Sequence, residues 1–118
     1  MKAFKNLVFL AAILTTLSAC DNGPRVPEAD LLVRVEGYLS GNEREDIMVQ
    51  IYLTREDAED QIGAITPPLW TDHYGEVEIF GLDTNRRYFV RADARAATTI
   101  RRSKRLDFGI NVFKVRIL

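Results

Sequence analysis

The feature that most constrains the fold of this chain is a repeated alternation of apolar and polar residues along short segments. Residues 47–54 alternate most cleanly, with isoleucine, valine, isoleucine and leucine at every second position. Successive side chains of a strand point to opposite faces, so a period of two predicts a half-buried strand. The same period recurs less regularly in residues 31–36, 76–80, 87–93 and 110–118. Since no long segment has a helical period, the pattern predicts an all-β fold.

Turn-forming residues separate these segments. Glycine, asparagine, aspartate and serine predict turns at residues 37–42, 72–75 and 81–85. The polar residues 55–61 predict either a single helical turn or an open loop. No element is predicted for the arginine-rich and poorly periodic residues 94–107.

A proline pair interrupts the strand-like residues 62–71. Because proline cannot donate a hydrogen bond to a neighbouring strand, Pro67 and Pro68 place this segment at a sheet edge or a bulge. Six or seven short strands with frequent turns predict an antiparallel sandwich or a small barrel. The residues predicted to face its core are Leu31, Val33, Val35, Ile47, Val49, Ile51, Leu53, Val77, Ile79, Tyr88, Val90, Ala92, Phe113, Val115 and Ile117.

The N-terminal segment has the features of an export signal. Lys2 and Lys5 precede the short apolar run of residues 7–17, which is too short for a membrane-spanning helix of about 20 residues. Residues 17–20 read Leu-Ser-Ala-Cys and resemble the lipobox of bacterial lipoproteins. The resemblance implies cleavage before Cys20 and lipid attached to its sulfur and new amino group. The alternative is an ordinary secretory signal in which the cysteine is incidental.

These features predict three parts of the chain. Residues 1–19 are expected to form a lipoprotein signal peptide, residues 20–30 an acylated cysteine with a flexible tether, and residues 31–118 the β-sandwich domain. Removal of the signal takes away two of the 16 basic residues and none of the 17 acidic ones, which leaves a net charge of −3. A nucleic-acid-binding domain would be clearly basic, so we expect no nucleic-acid partner.

A further resemblance covers roughly residues 31–118. Alternating residues 47–54 are followed by T-D-x-x-G-E-V-x-I-x-G-L in residues 71–82 and by Y-x-V-R-A in residues 88–92. This series is similar to the transthyretin-like, carboxypeptidase-regulatory-like sandwiches of Bacteroidota envelope lipoproteins. The double proline departs from the common pattern. The resemblance implies an antiparallel Ig-like or transthyretin-like sandwich of about seven strands. It implies no activity, because one sandwich can support many functions.

Few residues of the mature chain could support catalysis. Ser40 and Ser103 are its only serines, His73 is its only histidine, and acylation of Cys20 leaves no free thiol. A hydrolytic triad needs a nucleophile, a base and an orienting acid, so we expect no enzyme and no catalytic residue. We expect no cofactor other than covalent lipid and no metal site. A calcium site in the acidic residues 56–60 is the alternative to a solvated loop.

Two groups of residues are candidates for contact with a partner or a glycan. The first consists of Trp70 and Tyr74, which flank a turn, although burial of Trp70 at one end of the core is the favoured alternative. The second is a basic stretch that could bind an anion, although a charged loop or edge strand is favoured. The stretch begins at Arg95, and its members that are predicted as contact residues are Arg101, Arg102, Lys104 and Arg105.

The sequence therefore predicts a lipid-anchored, non-enzymatic binding or assembly module of the cell envelope. A structural accessory subunit of a larger outer-membrane complex is the alternative. The expected partners are the lipid bilayer, through Cys20, and an envelope protein or glycan. Asp21 would favour the inner membrane under the sorting rule of enteric bacteria. The resemblance to Bacteroidota lipoproteins favours the outer membrane, which we expect.

Overall fold

The computed structural model of this protein describes residues 28–118. Cys20, the expected signal peptide and most of the expected tether lie outside this range. The described chain forms seven strands and one short helix. In chain order they are β1 (Glu28–Gly37), β2 (Met48–Tyr52), α1 (Arg55–Asp60), β3 (Leu69–Trp70), β4 (Glu76–Asp83), β5 (Phe89–Asp93), β6 (Thr98–Arg102) and β7 (Gly109–Ile117).

The strands form two sheets, which confirms the predicted all-β sandwich. Sheet A has the order β4-β1-β7, and sheet B has the order β3-β2-β5-β6. All neighbours are antiparallel except β1 and β7, which run parallel. The predicted antiparallel arrangement therefore has one exception, in which the first and last strands lie side by side.

The core lies between the two sheets and consists mainly of the residues at alternate strand positions. Val33, Val49 and Val90 are fully buried, and the other predicted core residues of β1, β4 and β5 are at most 6% exposed. Phe113 is only partly buried against this core. Leu53 is 46% exposed, so its predicted core position is wrong. β2 ends at Tyr52 and the helix cap is Thr54, so Leu53 lies just outside the alternating strand.

Two predicted boundaries differ from the observed strands. β1 begins at Glu28, inside residues 20–30 that were predicted as tether, because Ala29 pairs with both neighbouring strands and is completely buried. The predicted turn at residues 81–85 also starts too early. Gly81, at φ +73°, forms a bulge inside β4, where one residue of β1 faces two of β4, and the turn follows at residues 84–85.

Sheet B has an edge strand on each side. The short β3 confirms the prediction that the proline-containing segment lies at an edge, since β3 pairs only with β2. β6 was not predicted. It pairs with β5 over residues 98–102, but none of its side chains is fully buried. An edge strand that buries neither face completely has no period-two alternation for a sequence pattern to detect.

Residues 55–60 form helix α1, so of the two predicted alternatives the helical turn is the one observed. The Thr54 hydroxyl accepts a hydrogen bond from the Asp57 N–H at 3.0 Å and caps the helix N-terminus. Ala58 of the helix and Tyr52 of β2 are both buried, and neither belongs to the core cluster between the sheets. Burial raises the pKa of the Tyr52 hydroxyl.

The pairing of the strands gives the sandwich two distinct ends. At the tether end, β1 and β7 begin, and the connections of residues 84–88 and 103–108 meet through the Asn85 N–H, which donates to the Leu106 carbonyl at 2.6 Å. At the far end, residues 38–47, 71–75 and 94–97 connect the strands. There the Val35 N–H donates to the Gly75 carbonyl at 2.7 Å. Each candidate contact residue can therefore be assigned to one end.

Candidate functional site

The far end carries Trp70 and Tyr74, and both side chains are exposed. Trp70 is 60% exposed, so the favoured interpretation that it caps the core is wrong. Side chains alternate along a strand, and it is the preceding Leu69 that packs against the core. Trp70 therefore faces outward beside Met48, its partner on β2. Tyr74 is 57% exposed in the turn before β4.

Hydrogen bonds hold the turn that carries Tyr74. The Asp72 carboxylate accepts from the backbone N–H groups of Glu76 at 3.0 Å and Tyr74 at 2.9 Å. Both bonds favour the charged carboxylate and hold the pKa of Asp72 below its usual range. The bond from Glu76 has the larger effect. Gly75 has φ +75°, a backbone conformation that glycine adopts without steric cost. The Tyr74 ring therefore projects from a well-supported turn.

A second connection at the far end exposes two large apolar residues that the sequence analysis missed. Tyr38 is 59% exposed and Leu39 is 90% exposed, just beyond the end of β1. Thr71 ties this connection to the neighbouring turn, because its hydroxyl accepts from the Ile47 N–H at 2.9 Å and donates to the Arg44 carbonyl at 2.7 Å. The sequence contained a signal for this exposure, since Tyr38 and Leu39 lie inside a predicted turn that is bounded by Gly37 and Gly41.

The basic stretch lies at the tether end and is divided between two elements. Arg101 and Arg102 belong to β6, whereas Lys104 and Arg105 lie in the following connection. The position of β6 at the edge of sheet B agrees with the interpretation that charge protects an edge strand. The Arg105 guanidinium donates to the Asn85 carbonyl at 3.1 Å.

The structure thus separates the two predicted groups of contact residues. Arg102 pairs with Phe89, where β5 begins, and Trp70 pairs with Met48, where β2 begins. β2 and β5 are antiparallel, so these two positions lie at opposite ends of sheet B. The aromatic and basic residues therefore form two surfaces and not one combined site.

A cavity of about 140 Å³ lies at the tether end, beside the connection between β6 and β7. Asn111 holds this connection, since its amide nitrogen donates to the Asp107 carbonyl at 2.9 Å and its amide oxygen accepts from the Asp107 N–H at 2.9 Å. The residues that line the cavity are Leu31, Ser103, Lys104, Arg105, Leu106, Asp107, Asn111, Val112 and Phe113.

Ser103 and His73, two of the residues considered for catalysis, lie at opposite ends of the sandwich. Ser103 is 2% exposed at the tether end, where its hydroxyl accepts from the Tyr88 N–H and donates to the Lys104 carbonyl. His73 is exposed at the far end, where its ring lies 4.1 Å from that of Tyr74. Among residues 28–118, no hydrogen bond joins His73 to a serine.

Residues 28–118 bring together no group of three or more His, Cys, Asp or Glu residues that could hold a metal ion. They also contain no helix of the length and apolarity needed to cross a membrane.

The fold is similar to that of a solved enzyme domain. No family model and no curated protein sequence matches the chain. The solved structure is the dioxygenase domain of a dioxygenase and carbohydrate-binding protein fusion from Streptomyces sp. SirexAA-E. The similarity has a TM-score of 0.52 and 12% sequence identity, and it covers 82% of this chain and 84% of that domain. At this identity the similarity shows the fold alone.

Proposed function

We propose that this protein is a lipid-anchored, non-enzymatic binding or assembly module of the cell envelope. The proposed anchor is acylated Cys20, and the proposed location is the outer membrane. The lipobox-like residues 17–20, which follow a short apolar run, support the anchor. Two or more lipid chains on one residue hold a protein far more firmly than a single chain, which binds only reversibly.

The observation that carries the binding role is the exposed apolar surface at the far end. Its four members come from two connections and the edge strand β3, and they lie at the end of the sandwich opposite the start of β1. They are Tyr38, Leu39, Trp70 and Tyr74. Aromatic rings at such sites stack on sugars or anchor protein contacts. A module tethered at one end can present this surface to an envelope protein or glycan.

The enzymatic alternative receives little support from the side chains. The fold neighbour is described as a dioxygenase domain. A common non-haem iron site in oxygenases uses two histidines and a carboxylate. This chain has one histidine, which is exposed in a turn. We therefore do not extend the neighbour's activity to this protein.

Substitution of the far-end aromatics tests the binding role. We expect the double variant W70S/Y74S to lose a partner that co-purifies with the wild-type protein from cross-linked envelopes, or to lose retention on envelope glycan. The matched control is I62S, because Ile62 is 63% exposed outside both end surfaces. Equal recovery of partner and glycan with W70S/Y74S and I62S would contradict the proposal.

The same experiment separates the two non-enzymatic functions. A partner recovered in fixed stoichiometry with the wild-type chain would favour a structural accessory subunit. Retention on glycan without such a partner would favour a binding module.

A further inference from the structure

The outer face of sheet A is divided into a charged half and an apolar half. In the half next to the far end, Arg34 forms an ion pair with Glu76 at 2.8 Å. Lys114 and Arg116 lie 3.6 Å and 3.9 Å from the carboxylate of Glu36. These pairs give this half an ordinary solvated surface.

The half next to the tether end is apolar. Strand pairing places Leu32 beside Val112, and it places Asp30 between the bulge of β4 and Ile110. Phe80 is 66% exposed, Ile110 71% and Val112 54%. Phe108, which is 80% exposed, directly precedes β7 at the same end. We call Leu32, Phe80, Phe108, Ile110 and Val112 the apolar patch.

Exposed clusters of large apolar side chains mark contact sites, whereas scattered ones need no explanation. The apolar patch is contiguous across three strands, because β4, β1 and β7 are neighbours in sheet A. Asp30 lies within it, between the bulge of β4 and Ile110, and its carboxylate accepts from the Gly81 N–H at 3.3 Å. Glu78 pairs with Leu32 at the edge of the patch, which is thus an apolar surface that contains one hydrogen-bonded carboxylate and adjoins a second.

The position of the anchor identifies the occupant of this patch. β1 begins at Glu28, beside the apolar patch, and only residues 21–27 separate it from Cys20. Seven extended residues span at most about 25 Å. Lipid attached to Cys20 therefore keeps the tether end, and the patch with it, close to the bilayer surface.

Basic side chains also lie beside the patch. The connections at the tether end carry Arg86, Arg87, Lys104 and Arg105, together with Asp107, and Arg86 lies 3.7 Å from the carboxylate of Asp83. The cavity lined by Lys104 and Arg105 also includes Val112 of the patch, so basic and apolar groups lie side by side. Apolar side chains flanked by lysine and arginine are typical of surfaces that bind at the bilayer interface, where anionic headgroups attract the cations.

We infer that the apolar patch docks on the lipid bilayer, so that the far-end aromatics face away from the membrane. This inference rests on the proposed anchoring through Cys20 and adds the surface that the anchored domain presents to the lipid. Docking brings Phe80, Phe108 and Ile110 to the boundary between headgroups and acyl chains. It also directs Trp70 and Tyr74 toward a partner or glycan beyond the headgroups.

The single tryptophan of the chain makes the orientation measurable. The acylated full-length protein is reconstituted into vesicles of phosphatidylethanolamine and phosphatidylglycerol whose acyl chains carry bromine, which quenches indole fluorescence at close range. The variant F80W/W70F moves the indole into the apolar patch, and I110W/W70F does so from β7. Native Trp70 reports the far end, and K114W/W70F reports the charged half of the same face.

We expect brominated vesicles to quench most of the fluorescence of F80W/W70F and I110W/W70F and to leave that of native Trp70 nearly unchanged. K114W/W70F should be quenched less than either patch variant. Patch variants quenched no more than native Trp70, in protein that floats with the vesicles, would overturn the docking inference and leave the anchor intact. Patch variants protected by a concentration-dependent dimer would overturn it equally.

Failure of the anchor has a different signature. A chain that carries no lipid on Cys20 and does not float with the vesicles would overturn both the proposed function and the inference that rests on it. Flotation and quenching therefore report separately on the anchor and on the docked surface.

Discussion

At the scale of single residues, two glycines with the same backbone conformation have different surroundings. Gly75 has φ +75° and Gly81 has φ +73°. A Cβ atom at Gly75 would lie 2.7 Å from the Val35 carbonyl oxygen and 3.0 Å from the Arg44 nitrogen. At Gly81 it would meet nothing within 4 Å. Gly75 thus allows the far-end connections to pack closely, in addition to forming its turn.

This difference predicts unequal costs for the same substitution. G81A should lower the free energy of unfolding by about 1–2 kcal/mol, the cost of a positive φ for a residue with a side chain. G75A should cost more than about 3 kcal/mol, because backbone atoms must also move. Denaturant unfolding of both variants measures the difference. Equal costs would show that the close approach at Gly75 contributes nothing.

Asp72 should make stability depend on pH in the acid range. Its pKa is lowered by backbone hydrogen bonds, so its ionised form stabilises the folded state above the unfolded pKa. This contribution is lost as pH falls through the folded pKa, below about pH 4. D72A should therefore have a lower melting temperature than wild type at neutral pH, and this difference should shrink in acid. A deficit independent of pH would contradict this role, and E45A, at an exposed carboxylate, is the control.

At the scale of elements, Arg91 links the sheet to the helix. Its guanidinium donates to the Ala58 carbonyl of α1 at 2.7 Å and contacts the Asp93 carboxylate at 2.9 Å. Since α1 has only six residues, its stability depends on such tertiary contacts more than on helix propensity.

The charge of Arg91 is therefore expected to stabilise the attachment of α1. R91M keeps much of the apolar stem and should lower the free energy of unfolding by about 1–3 kcal/mol, as expected for hydrogen bonds from a charged donor. R86M removes a more exposed pair, at 3.7 Å from Asp83, and should change it by less than about 1 kcal/mol. Urea unfolding compares the two, and faster proteolysis after α1 in R91M would support local release. Similar costs for both variants would argue against this role.

At the scale of the whole molecule, the two ends of the sandwich place the exposed surfaces at different distances from the proposed anchor. The tether end holds the apolar patch and the basic connections, and the far end holds the exposed aromatics. A rigid sandwich keeps these surfaces a fixed distance apart, so anchoring at one end determines what the other can reach.

Removal of the acylation site should separate anchoring from folding. C20S is expected to move the protein from the membrane pellet to the soluble fraction, because no lipid can be attached. Its melting temperature should equal that of the wild-type domain, since residue 20 precedes the sandwich. Fractionation and thermal unfolding check both statements. Recovery of C20S in the membrane pellet with its signal removed would count against acylation as the anchor.

The sequence by itself determined the all-β class, the main strands and nearly all core residues. In β1, β2, β4 and β5, one face is buried, and that constraint appears directly as a period of two. It also indicated the edge position of β3, since proline cannot donate to a neighbouring strand.

Only the tertiary structure decided which residues share a surface. β6 and the exposure of Trp70 depend on strand order, which local periodicity does not encode. The apolar patch combines side chains from three strands that are distant in sequence, and each of them looks like an ordinary exposed residue in its own segment. The separation of aromatic and basic residues likewise follows from strand pairing, because pairing alone brings distant segments to the same end of a sandwich.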